Sequence, residues 1–252
     1  MRSILTFLLL FLVCRILTAQ VALPGEIPYY PGEKMKFLLH MGFMNLGRAD
    51  ITFQADSLNC GTFIRANARS TGLAKLALNI KYEFNACVDQ STGLPYIATR
   101  IIREGNRMSE SEVYYYHDLR PDSSIVYSKS FDSLVVEKNI FDMLTGFYYF
   151  RSNYASRSLA KSQSVTLVTF VVSEVWPLTV HYAGEETIKT IFGPVDCLKF
   201  MPETEVGTYF RDSDDMIIWV TNDQRKIPVK IYIDLRVGSI TADLKEYVDP
   251  VL

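Results

Sequence analysis

Cys87-Val88-Asp89-Gln90-Ser91-Thr92-Gly93-Leu94-Pro95 leads through an alternating segment to Gly105, and Trp219-Val220-Thr221-Asn222-Asp223-Gln224-Arg225-Lys226-Ile227-Pro228 leads in the same way to Gly238. Proline and glycine stand ten positions apart in both stretches. Each reads as a strand, a polar turn, an apolar residue with Pro entering the next strand, and a Gly where that strand turns back. Pro95, Gly105, Pro228 and Gly238 thus mark a β-hairpin that the chain uses twice.

Working outward, period-two alternation dominates. Glu33 to Met41 reads as a strand, Asn45-Leu46-Gly47-Arg48 as a turn and Ala49 to Ala55 as the return. Strands follow near 63–69, 80–88, 96–103, 112–117 and 124–128, then near 165–172, 178–183, 185–192, 197–202, 216–221, 228–236 and 239–247. In the 228–236 segment Val229, Ile231, Ile233 and Leu235 alternate with Lys230, Tyr232, Asp234 and Arg236, so one face is core and the other is wet. One helix interrupts the series, near 140–153, where Phe141, Leu144, Phe147 or Tyr148, and Arg151 recur at helical spacing. Asp142 suits the positive end of its dipole, and Gly146 weakens it by about 1 kcal/mol relative to Ala. The expected fold class is mainly β: an antiparallel, strongly curved sheet or open barrel made of two similar hairpin-rich halves, 26–130 and 158–250, with the helix between them. The pattern leaves closure of the sheet open.

Arg2 followed by the uncharged run from Ser3 to Cys14, with Thr18-Ala19 ahead of Gln20, has the layout of a secretory signal peptide spanning 1–19. The run is short of the roughly 18 to 20 apolar residues that cross a bilayer as a helix. Val13 is too large to precede a lipidated Cys14. The expected location is the periplasm or the cell exterior, with residues 20–252 forming a single β-rich domain that is not an integral membrane protein. Without Arg2 and Arg15 the chain carries 24 basic against 28 acidic residues, which argues against nucleic acid as a partner. Apolar residues make up 48% of the sequence, ample for one sizeable core.

Cys60, Cys87 and Cys197 remain after cleavage, enough for one disulfide and one thiol. Cys60 and Cys87 flank a hairpin centred near Leu73-Ala74 that would set them opposite one another. The side-chain pattern pulls the other way: Ile80, Tyr82, Phe84, Ala86 and Val88 define an apolar face that excludes Cys87, and Ile64, Ala66 and Ala68 meet it only after a one-residue slip. Small apolar residues in strands are the plainer reading of both cysteines.

Further blocks carry a family resemblance. Gly32-Glu33-Lys34-Met35-Lys36-Phe37, Met41-Gly42-Phe43-Met44-Asn45-Leu46-Gly47-Arg48-Ala49, the Asp89 to Pro95 turn with Arg103-Glu104-Gly105, Asp142-Met143-Leu144-Thr145-Gly146-Phe147-Tyr148-Tyr149-Phe150-Arg151, Gly184-Glu185-Glu186, and Trp219 through Pro228 resemble, in order, the blocks of an exported bacterial family catalogued as a domain of unknown function, DUF-3108. The resemblance implies a periplasmic β-rich protein and brings no catalytic residues with it. The Asp-x-x-Thr-Gly-Leu-Pro turn is also similar to one in periplasmic lipoprotein carriers of the LolA and LolB type, whose curved sheet wraps a helix and holds acyl chains. An Asx turn before a strand-entry Pro explains that short phrase equally well.

No motif of catalysis stands beside these signals. His40, His117 and His181 lie on separate strands without metal-ligand spacing. Asp212, Asp214 and Asp215 lack the Gly and distal Glu of a calcium loop, and Glu185 and Glu186, being adjacent in a strand, face opposite ways. No nucleophile elbow or phosphate loop occurs, and no metal or cofactor is expected. Aromatic side chains carry the functional reading instead. Tyr114, Tyr116, Tyr148 and Trp219 are the candidate lining of a ligand pocket between helix and sheet, since their rings are apolar and their tips polar. Ordinary packing on sheet faces competes with that reading. The expected function is a non-enzymatic binding or carrier protein for an apolar or amphipathic ligand, a lipid or lipoprotein segment. The alternative is an accessory protein of envelope assembly acting through protein contacts at strand edges, and an enzyme is the third option.

Overall fold

The computed structural model describes residues 30–56, 61–155, 159, 163–203, 212, 215–236 and 238–250. The first wing of the fold is a meander of β1 (Lys34–Met41), β2 (Met44–Asp56), β3 (Gly61–Ser70), β4 (Ile80–Val88), β5 (Pro95–Glu104), β6 (Arg107–Tyr116), β7 (Ser123–Ser128) and β8 (Asp132–Glu137), with a short helix α1 (Gly72–Leu78) between β3 and β4. A two-residue strand β9 (Phe141–Asp142) and helix α2 (Met143–Asn153) then carry the chain across. The second wing comprises β10 (Ser164–Val171), β11 (Glu174–Thr190), β12 (Gly193–Pro202), β13 (Met216–Thr221), β14 (Pro228–Leu235) and β15 (Gly238–Val248).

All fifteen strands share one sheet, in the order β8 back to β1, then β15 back to β9. From β1 in the middle of the sheet the chain runs out to one edge, crosses over and returns. β1 and β15 close the seam, Lys34 opposite Val248. The free edges are β8 and β9, so hydrogen bonds leave the curved sheet open. Side chains bridge the two ends: Val113, Tyr115, Val126 and Val136 of the first wing form one buried cluster with Ile140 and Phe170. The Tyr115 hydroxyl reaches the Phe170 carbonyl at 3.5 Å.

α2 is the principal helix, as its spacing predicts, but it starts after Phe141. Asp142 caps it, accepting from the Leu144 and Thr145 amides, and the Thr145 hydroxyl answers the Asp142 amide, a reciprocal capping box. Burial pushes the Asp142 carboxyl up while those cap bonds pull it back. Gly146, a weak helix former, is there for contact: a Cβ would meet the Thr169 methyl at 2.9 Å. The helix therefore lies directly on β10 and β11.

Three local expectations are corrected. The first hairpin turns at Gly42-Phe43, where Met41 faces Met44, and Asn45 to Arg48 belong to β2. Gly47 is a close-approach glycine and not a turn residue, because a Cβ would fall 2.3 Å from the Arg69 carbonyl oxygen. The connection centred near Leu73-Ala74 is α1 instead of a tight turn, ended by Asn79 in the left-handed region at φ 42°. That helix moves the register of β3 and β4: Phe63 faces Cys87 and Ile64 faces Ala86, so the apolar faces match. Cys87 is disulfide-bonded, Cys60 lies outside the described residues, and Cys197 is a buried free thiol. Lastly, the two strands expected on either side of Gly184 are one strand, β11, bent at a register shift between Tyr182 and Gly184, where the glycine takes φ 106°.

Candidate functional site: two clefts at two like hairpins

The repeated phrase folds alike in both places. Pro95 faces Val88 just after a register shift at Cys87/Val88, and Pro228 faces Val220 just after one at Trp219/Val220. In the first turn, one Asp89 carboxylate oxygen accepts from the amides of Ser91 and Thr92, at 2.7 and 2.8 Å. In the second, one Asp223 oxygen accepts from Arg225 and Lys226, at 3.0 and 3.1 Å. Each is an Asx turn that satisfies the amides a tight polar loop would otherwise leave open. The apolar residues before the prolines, Leu94 and Ile227, are buried, and their carbonyls accept from Asp89 and Thr221 at 2.9 Å each. The residue ahead of each is left-handed, Gly93 at φ 74° and Lys226 at φ 50°. Gly105 and Gly238 also take positive φ, the former in the turn after β5 and the latter as the first residue of β15.

A cleft opens beside each turn. The first, about 240 Å³, is lined by Asp89, Leu94, Tyr96, Tyr116, His117 and their neighbours. His117 braces it: Nε2 lies 3.0 Å from the Pro95 carbonyl and Nδ1 3.0 Å from the Ser124 hydroxyl, which itself accepts the Asn139 amide. A carbonyl only accepts, so Nε2 carries the proton and Nδ1 takes Ser124's. Burial moves the imidazole below its ordinary value, in keeping with that neutral tautomer. Burial also acts on Asp89, but the Ser91, Tyr96 and Thr92 bonds outweigh it and hold the carboxyl well below the usual range. Through the bond to Asp89, the Tyr96 hydroxyl is pushed up to about 12.

The second cleft, about 720 Å³, is lined by Tyr30, Glu33, Arg151, Arg225, Tyr247 and Asp249 among others. Its floor is a buried ion pair. Glu33 and Arg151 are each 1% exposed and meet end-on in a bidentate pair, Nη1 to Oε2 at 2.8 Å and Nη2 to Oε1 at 2.6 Å. The guanidinium also donates to the carbonyls of Lys226 and Arg225, at 2.9 and 2.8 Å. Burial disfavours its charge, and the Glu33 bonds more than restore it. Tyr247 donates to Glu33 at 3.1 Å, and burial with the nearby carboxylates pushes its hydroxyl above the ordinary range. Arg225 pairs with Asp249 at the mouth and stacks over the Tyr247 ring. Glu33, Arg151 and Arg225 come from the segment before β1, the end of α2 and the second hairpin, so three separate parts of the chain meet in one site. Residue spacing alone carries no sign of that meeting.

The structure does not bring the four candidate pocket residues together. Tyr148 is fully buried, edge-on to Phe53 with centroids 4.7 Å apart, and its hydroxyl has no hydrogen-bond partner among the described residues. Trp219 is also buried, its Nε1 donating to Glu186 at 3.1 Å and its ring flanked by the ammonium groups of Lys199 and Lys230. Tyr114 and Tyr116 sit on the face opposite Tyr115, with Tyr114 bonded to Glu112 and Tyr116 42% exposed. Of the four, Tyr116 lines one of the two clefts, and the other three line neither. His40 and His181 bind Asp243 and Glu203 at 3.0 and 2.8 Å. Asp212 binds Asp215 through its amide, while Asp214 lies outside the described residues. Among the described residues no cluster of His, Cys, Asp or Glu is suited to hold a metal.

The family model described as protein of unknown function (DUF3108) matches residues 36–245. The chain belongs to this family. A crystal structure of a β-barrel-like protein of a domain of unknown function, DUF1849, from Brucella abortus aligns over 87% of this chain and 98% of that one, with 11% identity and TM-score 0.54. That likeness is one of fold: a barrel-like sheet. A protein described as exported, with a YmcC-like fold, from Bacteroides fragilis aligns over 88% of this chain and 98% of that one at 11% identity and TM-score 0.33. No curated protein matches. Among the described residues no helix of this DUF3108 member is long and apolar enough to cross a membrane.

Proposed function

We propose that this DUF3108 protein is an exported, non-enzymatic binding protein of the cell envelope, located in the periplasm after signal cleavage. It takes an amphipathic ligand, a lipid or lipoprotein segment, in the cleft at the Asp223 hairpin and not in an interior pocket. The observation that carries this reading is a cleft of about 720 Å³ on the rim, within the size range of small-molecule sites, while Tyr148 and Trp219 are buried away from it. Tyr30 and Tyr247 offer rings with polar tips, and Arg225 with Asp249 offers charge at the mouth. Glu33 and Arg151 spend their bonding capacity on each other, on Tyr247 and on backbone, which suits a rigid floor better than acid-base chemistry. The matched hairpins support reading the single domain as two related halves, 26–130 and 158–250.

The test is native mass spectrometry of protein purified from its own envelope, followed by calorimetric titration with the lipid retained. A Tyr247→Ala variant should weaken that binding by about tenfold, the scale of one lost anchoring contact. No retained lipid, and no saturable binding by the wild type, removes the reading. The edge strand favours a second one. β8 carries Leu134 and Val135 at 37% and 57% exposure beside unpaired backbone, a surface to which a partner strand can add. Loss of a co-purifying envelope protein on Val135→Lys, with lipid absent from wild type, would favour it.

A further inference from the structure

The end of the sheet remote from both clefts carries an unusual surface. The strand directions put the Gly42-Phe43 turn and α1 together there, and the Thr71 amide that opens α1 donates to the Leu46 carbonyl at 2.9 Å. Phe43 is fully exposed, and α1 shows Leu73, Leu76 and Leu78 at 80%, 84% and 51% exposure, with Met44 beside the turn at 46%. A surface helix ordinarily turns such residues inward. This one buries only Ala74. Single exposed apolar residues need no explanation, whereas a contiguous group at a protruding tip marks a contact site.

Directly next to it lies a row of cations. Arg48 faces Arg69, Arg69 faces Lys81, and Lys81 faces Arg103, across four adjacent strands. All four are exposed and share the outer face. At the spacing of sheet strands the row spans about 14 Å. Like charges placed opposite one another destabilise a sheet, so local stability does not account for the arrangement. Lys81 has Glu83 as a partner, while Arg48 and Arg69 have no acidic partner among the described residues. Lys75 on α1 and Arg107 at the start of β6 add to the same end. This concentration occurs in a chain whose residues 20–252 are net acidic.

We propose that this tip docks the protein on an anionic phospholipid bilayer: Phe43, Leu73 and Leu76 enter the headgroup boundary, and the Arg48-Arg69-Lys81-Arg103 row meets the lipid phosphates. The chemistry selects this occupant. The apolar side chains stand on a hairpin tip and a short surface helix, exposed as insertion into a fluid interface requires, and the belt of one sign complements a surface of the other. Docked this way, the two clefts at the opposite strand ends face away from the bilayer. The inference stands apart from the ligand reading, since it uses different residues at the other end of the molecule.

The experiment is co-sedimentation of the mature protein with vesicles of phosphatidylcholine mixed with phosphatidylglycerol, against vesicles of phosphatidylcholine alone. Binding to the anionic vesicles should be at least about tenfold tighter and should fall as salt is raised. Arg48→Gln with Arg69→Gln should remove that preference, and Leu73→Ser with Leu76→Ser should weaken binding to the same vesicles. Both pairs are exposed, and an unchanged circular dichroism spectrum and melting curve will show that they fold. Tyr247→Ala should sediment like wild type. Equal binding to both vesicle types, no binding to either, or full binding by both double variants overturns the proposal. So does loss of a co-purifying protein from the tip variants while their vesicle binding stays intact.

Discussion

The hairpin at Asp89 and the hairpin at Asp223 use one carboxylate geometry and one strand-entry proline, yet each is braced by a different kind of side chain. At the first, a neutral imidazole reaches across to the Pro95 carbonyl. At the second, a guanidinium takes the carbonyls of Arg225 and Lys226 and is itself neutralised by Glu33. The local turn is thus separable from what anchors it. An Asx turn needs only its own few residues, and either brace can dock on the carbonyls it presents. A neutral brace costs little desolvation, whereas an ion pair is costly to bury and damaging to break.

The sharpest way to break the comparison is to remove one charge of the pair. Arg151→Leu should cost roughly 3 to 5 kcal/mol in denaturant unfolding, because Glu33 is left charged and buried. Replacing both residues, Glu33→Leu with Arg151→Leu, should recover much of the loss. A single variant within about half a kcal/mol of wild type would mean that water reaches Glu33 and the floor is not sealed. At the other hairpin, His117→Ala should cost about 1 to 3 kcal/mol by leaving the buried Pro95 carbonyl unpaired. It also adds a pH signature. The folded imidazole is shifted below its unfolded value, so the unfolded chain binds more protons between the two. Stability from this group is therefore full above the unfolded value near 6.5, falls as pH drops below it, and levels off below the folded value. His117→Ala should flatten that part of the stability curve, and Arg151→Leu should leave it in place.

Much of this was legible as pattern and little of it as place. Alternation gives the strands, and the helical spacing from Phe141 to Arg151 gives α2, because both periods are written in neighbouring residues. What the pattern misses depends on distant atoms. Gly47 looks like a turn glycine until the Arg69 carbonyl is seen above it, and Gly146 looks like a flaw until Thr169 is. Tyr148 and Trp219 have the amphipathic rings of pocket residues, and both are consumed by packing. Alternation sets Tyr114 and Tyr116 on one face, but it cannot say that Tyr115, on the other, faces the core. Glu33 and Arg151, 118 positions apart, carry no mutual signal in one sequence.

The left-handed residue before each apolar-proline pair offers a gentler test. Gly93 adopts φ 74° freely, while Lys226 adopts φ 50° against the steric preference of a side chain. Gly93→Lys should destabilise by about 1 to 2 kcal/mol, and Lys226→Gly should change stability by less than about 1 kcal/mol, since relief of strain is offset by a freer unfolded chain. Opposite magnitudes, read from thermal melts, would show that the two turns are not equivalent in backbone geometry.

The smallest effect belongs to Tyr148, whose ring lies beneath the Arg151 guanidinium with their centres 5.6 Å apart. Its hydroxyl is buried with no bond among the described residues, and burial pushes it above its ordinary value. An unpaired buried hydroxyl is a cost that its removal relieves. Tyr148→Phe should therefore be neutral or stabilising by up to about 1 kcal/mol, while Tyr247→Phe, which gives up a bond to Glu33, should cost about that much. The sign separates two accounts of the floor. If Tyr148→Phe destabilises by more than about 1 kcal/mol, the hydroxyl has a hidden partner such as a trapped water, and the ion pair beneath the cleft is wetter than its 1% exposure suggests.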